Sequence, residues 1–417
     1  MAKPIRTTAT DMTENLGYNS KRERNIFLLC FLTYSATYIC RLNYSSIIPE
    51  LSSLGILSES KIASVSSAFF VCYGLGQIVS GIIGDKINTR YMIFAGVLLS
   101  SLSNIILCFF NSYPVLITFW ALNGLFQSLV WSPILKLASL EYDSATCDKF
   151  GMQMSVTVPL GTVLSYTVSL VTLMFLEWKY VFLTCGLILF AVSIVWILGT
   201  SKLNLHQNIK SDNNKENRVN IKSSFKILAV TGTLVLLIPI IVQGTLKDSV
   251  TQWVPQFFST QFNSNTSFSL LLTMLLPVVN VTGAFFAKKV NDKLKSEAKT
   301  SAVFFAISLV FLIVLFAFSS KSLVLSLISM IMVTNCMFAV NVMLITIIPL
   351  KFAKYGNVST VAGVLNATAY IGCAVANQIA GGILSHSSWN TVIIFWMILA
   401  VVAIAFCFIY SSKKASD

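Results

Sequence analysis

SKLNLHQNIKSDNNKENRVNIKSS, residues 201–224, is the one long polar stretch in an otherwise apolar chain. Rich in Asn, Lys and Ser, it has the composition of a flexible linker. On either side, apolar runs of roughly twenty residues follow one another, each long enough to cross the hydrocarbon core as a helix. Six precede the linker, at 26–50, 62–83, 91–111, 114–139, 151–175 and 179–199. Six follow it, at 227–257, 266–288, 300–319, 322–350, 356–384 and 389–411. The reading is an all-α membrane protein with twelve transmembrane helices in two pseudo-symmetric six-helix bundles, 26–200 and 227–411. A cytoplasmic linker over 201–226 joins them, with a cytoplasmic N-terminal segment at 1–25 and a tail at 412–417.

The composition excludes an ordinary soluble domain: 55% of residues are hydrophobic and 11% charged, against about a quarter charged in soluble proteins, and the mean hydropathy is +0.78. With the N-terminus in the cytoplasm, twenty-three Lys and Arg fall on that side. The opposite side has only Lys61, Lys179 and Lys321. This asymmetry puts both termini in the cytoplasm of a cell membrane. It also accounts for the net charge of +13 through contact with anionic lipid, without nucleic acid as a partner. The polar start of the chain, with Lys21, Arg22 and Arg24 before the first span, reads as no cleaved signal peptide. Nine cysteines are scattered without a CxxC pair and read as packing residues. With His206 in the linker and His386 near the outer end of a span, no metal site or cofactor is expected.

Three ionisable residues lie well inside the spans: Arg41 in TYICRLNYSSIIPEL (37–51), and Lys247 and Asp248 in GTLKDSVTQWVPQFF (244–258). A charge at the centre of a membrane helix costs roughly 3 kcal/mol on insertion scales, so each needs a partner. Arg41 precedes Pro49 by eight residues and Lys247 precedes Pro255 by eight, so the first helix of each half repeats one cation at one offset from one proline. Asp248 follows Lys247 directly, about 100° away around an ideal helix, and is expected to meet a cation from another helix rather than its neighbour. Lys136 falls at the inner edge of the fourth span, where snorkelling is the default and gating is the functional reading.

Two cations facing few acids suit an anionic substrate between the halves, although a structural arginine bonded to backbone carbonyls would leave the same trace. Helical spacing puts Tyr34, Tyr38 and Arg41 on one face, Tyr73 and Gln77 one turn apart, and Asn366, Tyr370 and Asn377 on a shared face. These side chains donate hydrogen bonds to oxyanions without adding charge; they also bond between membrane helices. No GxxxxGK[ST] loop supplies ATP binding, and no nucleophile–base or metal constellation suggests an enzyme.

The loop GIIGDKINTR (81–90), which carries Asp85 and Arg90, resembles the Gly-x-x-x-Asp-x-x-x-x-Arg signature of the major facilitator superfamily. YICRLNYS, YGLGQ (73–77), WSPILK (131–136), LKDSVTQWVP (246–255) and AGVLNATAYIG (362–372), in this order, are similar to the organophosphate:phosphate antiporters. The resemblance implies phosphate held between Arg41 and Lys247, tyrosine contacts from Tyr38, Tyr34 and Tyr73, and exchange of a phosphorylated compound for inorganic phosphate by alternating access. It further implies gating roles around Asp85, Arg90, Lys136 and Asp248, and a monomer in the lipid. Lysine stands at 247 where the best-known members have arginine, glutamine stands at 77 where glycerol-3-phosphate carriers have lysine, and MSVTVPLGTVLSY (154–166) lacks the histidine those carriers place there. These departures leave a carboxylate or another organic anion open as substrate, and a transporter-like sensor as a further alternative.

Overall fold

The computed structural model describes residues 21–84, 87–110, 112–203, 205, 233–350 and 358–416. Twelve helices among them are long and apolar enough to cross a membrane. In the first half these are α1 (Lys21–Ser53), α2 (Glu59–Gly84), α3 (Thr89–Phe109), α4 (Tyr113–Glu141), α5 (Thr157–Phe175) and α6 (Lys179–Ser201). In the second they are α7 (Leu234–Gln261), α8 (Thr266–Leu294), α9 (Glu297–Phe318), α10 (Leu323–Ile347), α11 (Val358–His386) and α12 (Trp389–Ser416). No strand occurs among the described residues.

Local chemistry sets several helix starts. Asn88 and Asn265 accept backbone N–H groups from Arg90 and Phe268 with their side-chain oxygens, at 2.9 and 2.8 Å, and Ser296 and Ser322 cap α9 and α10 in the same way. Pro114 sits in the first turn of α4, where its missing N–H leaves no helix bond unmade. Pro49 and Pro255 lie inside α1 and α7.

The two halves pack by one plan. In the first, α1 lies against α5 and α6, α2 against α4, and α3 against α4 and α6. In the second, α7 lies against α11 and α12, α8 against α10, and α9 against α10 and α12. Adding six to each helix number converts one set into the other. Between the halves, α1 meets α7, while α2–α11 and α5–α8 are the same contact seen from the two sides of the pseudo-two-fold.

The fifth span differs from its reading. A short helix, Ser144–Met154, ends in a break at Ser155 and Val156, and α5 starts only at Thr157. Apolar residues bridge the break, so hydropathy carried the expected span six residues too far. The start of α1 is fastened to this region: Arg22 pairs with the buried Glu141 at 2.7 Å and donates through Nε to Leu203 O at 3.0 Å, and the Tyr142 hydroxyl donates to Glu23 O at 2.8 Å. Most of the linker lies outside the described residues.

A row of hydrogen bonds closes the halves over the end of the molecule away from the chain termini. Ser385 Oγ accepts from Ser60 N at 3.0 Å, Gln256 donates to Glu59 at 2.9 Å, and Thr266 donates to Glu50 at 2.7 Å. Ser64 donates to Gln378 at 3.0 Å, Ser67 to Ala374 O at 2.7 Å, and Gln252 to Ser66 at 3.2 Å.

Candidate functional site

A cavity of about 70 Å³ lies at the level of Arg41 and Lys247, with walls from both halves. At roughly 10–15 Å³ per water, it has room for a handful of small groups. From the first half come Tyr38, Arg41, Ser66, Phe69, Trp120 and Thr162; from the second come Lys247, Asp248, Gln252, Asn280, Phe338 and Tyr370.

Arg41 is 8% exposed. Its guanidinium carbon stands 4.3 Å from the centre of the Tyr73 ring, 4.6 Å from Tyr38 and 5.9 Å from Phe69, so π-faces cover the cation. Nε donates to Gln127 Oε1 at 2.9 Å. Gln127 is itself fixed: its Nε2 donates to Cys40 O at 3.0 Å and to Asn123 Oδ1 at 3.3 Å, and Asn123 donates to Cys40 O at 2.8 Å. One arginine nitrogen, Nη2, is buried with no hydrogen-bond partner. A buried guanidinium N–H left unpaired costs on the order of 1–3 kcal/mol or more.

Lys247 Nζ lies 3.2 Å from Asp248 Oδ2, which corrects the expected separation of these neighbours. The reason is local: Thr245–Ser249 is a π-helical turn inside α7. Its wider turn reduces the rotation between successive side chains, and the long lysine stem covers the remainder. Thr251 Oγ1 caps Lys247 O at 2.6 Å. Lys247 also lies 5.5 Å from the Phe338 ring.

The other predicted residues sort by distance from the cavity. Tyr38 and Tyr370 line it, and Tyr73 meets Tyr370 edge-on at 4.7 Å, joining α2 to α11 behind Arg41. Tyr34 stands one turn back, against Trp131 at 4.6 Å and the edge of Tyr38 at 5.6 Å, and orients Tyr38 rather than lining the cavity. Gln77, buried with an unpartnered Nε2, Asn366 and Lys136 lie outside the lining. Asn377 accepts from Ser249 at 2.7 Å and Trp253 at 2.8 Å, tying α11 to α7 beside the π-turn. Arg90 donates to Ile197 O at 2.9 Å, so it fastens α3 to α6. Asp85 lies outside the described residues. Gln127, Gln252 and Asn280 were missed. Gln127 and Asn123, one turn apart in an apolar span, are the signal that could have found the arginine's support.

A cavity between two six-helix repeats, walled by both and holding one underpartnered cation, fits a secondary-transporter architecture. The Major Facilitator Superfamily pattern matches residues 26–377, and the chain belongs to that superfamily. It is 22% identical to the glycerol-3-phosphate transporter of Bacillus subtilis (strain 168) over 406 residues, 91% of this chain and 90% of that one. It is 34% identical to the membrane sensor protein UhpC of Escherichia coli (strain K12) over 104 residues, a match spanning 25% of this chain and only 24% of the relative. A bacterial homolog of the human lysosomal transporter Spinster, solved inward-facing and unoccupied, has the same fold, with a TM-score of 0.80 over 95% of this chain and 98% of that one at 13% identity.

Proposed function

We propose that this superfamily member is a carrier that exchanges a phosphorylated organic compound for inorganic phosphate by alternating access, with Arg41 as the principal anion ligand. One observation carries the reading: Nη2 of Arg41 is buried and unpartnered at a cavity walled by both halves. A phosphoryl oxygen satisfies that donor through a charge-assisted bond. Tyr38 and Tyr370 supply hydroxyl donors from opposite halves, so one anion bridges the two bundles. Neutralising the cation lowers the cost of shutting the cavity away from water, which couples occupancy to rocking.

The likeness to a glycerol-3-phosphate transporter along nine-tenths of the chain supports phosphate esters over carboxylates. The proposed setting is a cell membrane with both termini in the cytoplasm, the chain working as a monomer among lipids and without a cofactor. In that orientation the bonded far end is the outer face.

The test is counterflow in proteoliposomes loaded with labelled inorganic phosphate. External glycerol-3-phosphate or a hexose phosphate should release the label at rates well above those of loaded vesicles given no external substrate and of loaded vesicles lacking the protein. Release by organic carboxylates alone would replace the phosphate reading with one of carboxylate transport. Binding of phosphate esters without release would mark a sensor.

A further inference from the structure

We infer that the preferred substrate is a phosphate ester carrying a protonated amine, and that Asp248 is the residue that recognises the amine. The inference rests on the organophosphate reading of this cavity and adds the substrate's second functional group. Three charged side chains line the cavity: Arg41, Lys247 and Asp248; the rest of its lining is neutral, much of it aromatic. The site therefore has a net charge of +1, because one of its two cations is matched by a carboxylate in the same wall.

That carboxylate is in reach of a ligand. Asp248 keeps 26% of its side chain exposed and Lys247 16%, and only Oδ2 of the carboxylate is engaged by Nζ. A simple phosphate monoester brings nearly two negative charges. It leaves the closed cavity with an unpaired negative charge beside Phe69, Phe70, Trp120 and Phe338, and such a charge is costly away from water. An aminoalkyl phosphate brings two negative charges and one positive. Its sum with the site is zero.

The ion pairs then exchange partners. The phosphoryl group takes Nη2 of Arg41 and draws Nζ of Lys247 away from Asp248, while the substrate ammonium replaces Nζ on the carboxylate. Every charge then faces an opposite one in the filled cavity, whereas the empty cavity leaves the Arg41 cation without a counter-ion. A dianion lacking the amine also draws Lys247 away, but strands Asp248.

The probes are 2-aminoethyl phosphate and 2-hydroxyethyl phosphate, matched in size and differing at one group, each added outside vesicles that hold the full-length protein and labelled phosphate. The wild type should reach half-maximal release at a concentration of the amine at least about tenfold lower than that of the alcohol, the scale of one close charge pair. Asp248→Asn should erase or invert that ratio, whatever it does to the absolute rate, whereas Asp248→Glu should keep it. A purely structural Asp248 would weaken both esters together and leave the ratio unchanged, which overturns the inference. A wild-type ratio near one overturns it without any variant, while leaving phosphate exchange intact. Failure of both esters and of glycerol-3-phosphate to release label would instead remove the organophosphate reading on which the inference stands.

Discussion

Arg41 and Gln127 show how a single side chain acquires its role through its neighbour. Gln127 Oε1 accepts a hydrogen bond from Nε, while Nη2 has no partner. Gln127→Glu should therefore place a carboxylate under the guanidinium, neutralise it and abolish phosphate exchange, while loss of the amide bonds to Cys40 O and Asn123 Oδ1 lowers the Tm of a protein that still folds. Exchange retained at the wild-type rate in the folded variant would show that the amide serves packing alone. Gln127→Leu should leave Nε and the Asn123 cluster underbonded, lowering stability by about 1–3 kcal/mol in denaturation and raising the half-saturating phosphate concentration. At this scale the sequence was partly legible. Arg41 stood out because a permanent charge in an apolar run demands a partner. Its support by Gln127 was not, because that partner comes from a helix 86 residues away in the chain.

Helices meet closely where small residues permit it, and two such approaches frame the site. A Cβ on Gly161 would come 2.4 Å from Ser35 O and 2.6 Å from Tyr38 Cβ, and one on Gly244 would come 2.4 Å from Ala369 O. Gly161 thus sets α5 against α1 directly behind Tyr38, and Gly244 sets α7 against α11 next to the π-turn. Gly161→Val should push α5 away, costing about 1–3 kcal/mol of stability as an overpacked contact, with exchange reduced because Tyr38 shifts; a thermal shift assay beside counterflow checks both. The spans were legible from hydropathy because only helices satisfy their own backbone in lipid. The π-turn was not: TLKDS has no composition that distinguishes it from ideal helix, so Asp248 was assigned to a distant partner when it pairs with Lys247. The break before α5 was hidden for a similar reason, since Ser155 and Val156 interrupt the helix without interrupting the apolar run.

For the whole molecule, the twofold plan was legible from the linker and from the repeated spacing of Arg41–Pro49 and Lys247–Pro255. Which end is shut was not, because the closing bonds join residues up to 325 positions apart and depend on the conformation adopted. Ser64 and Gln378 face each other at 3.0 Å across the far end. The pair Ser64→Cys with Gln378→Cys, oxidised in vesicles, should hold that end shut and stop exchange, and reductant should restore it; the nine native cysteines form no disulfide in this structure and are replaced first. Undiminished exchange in a fully cross-linked sample would mean that these bonds do not open during transport. Anion binding by Arg41 is tested by comparing wild type and Arg41→Gln in phosphate-loaded vesicles with glycerol-3-phosphate added outside. Wild type should release label rapidly and, with one charge-assisted bond removed, the folded variant should lose at least about tenfold to a hundredfold of that rate; equal release by both would rule out Arg41 as the principal anion ligand.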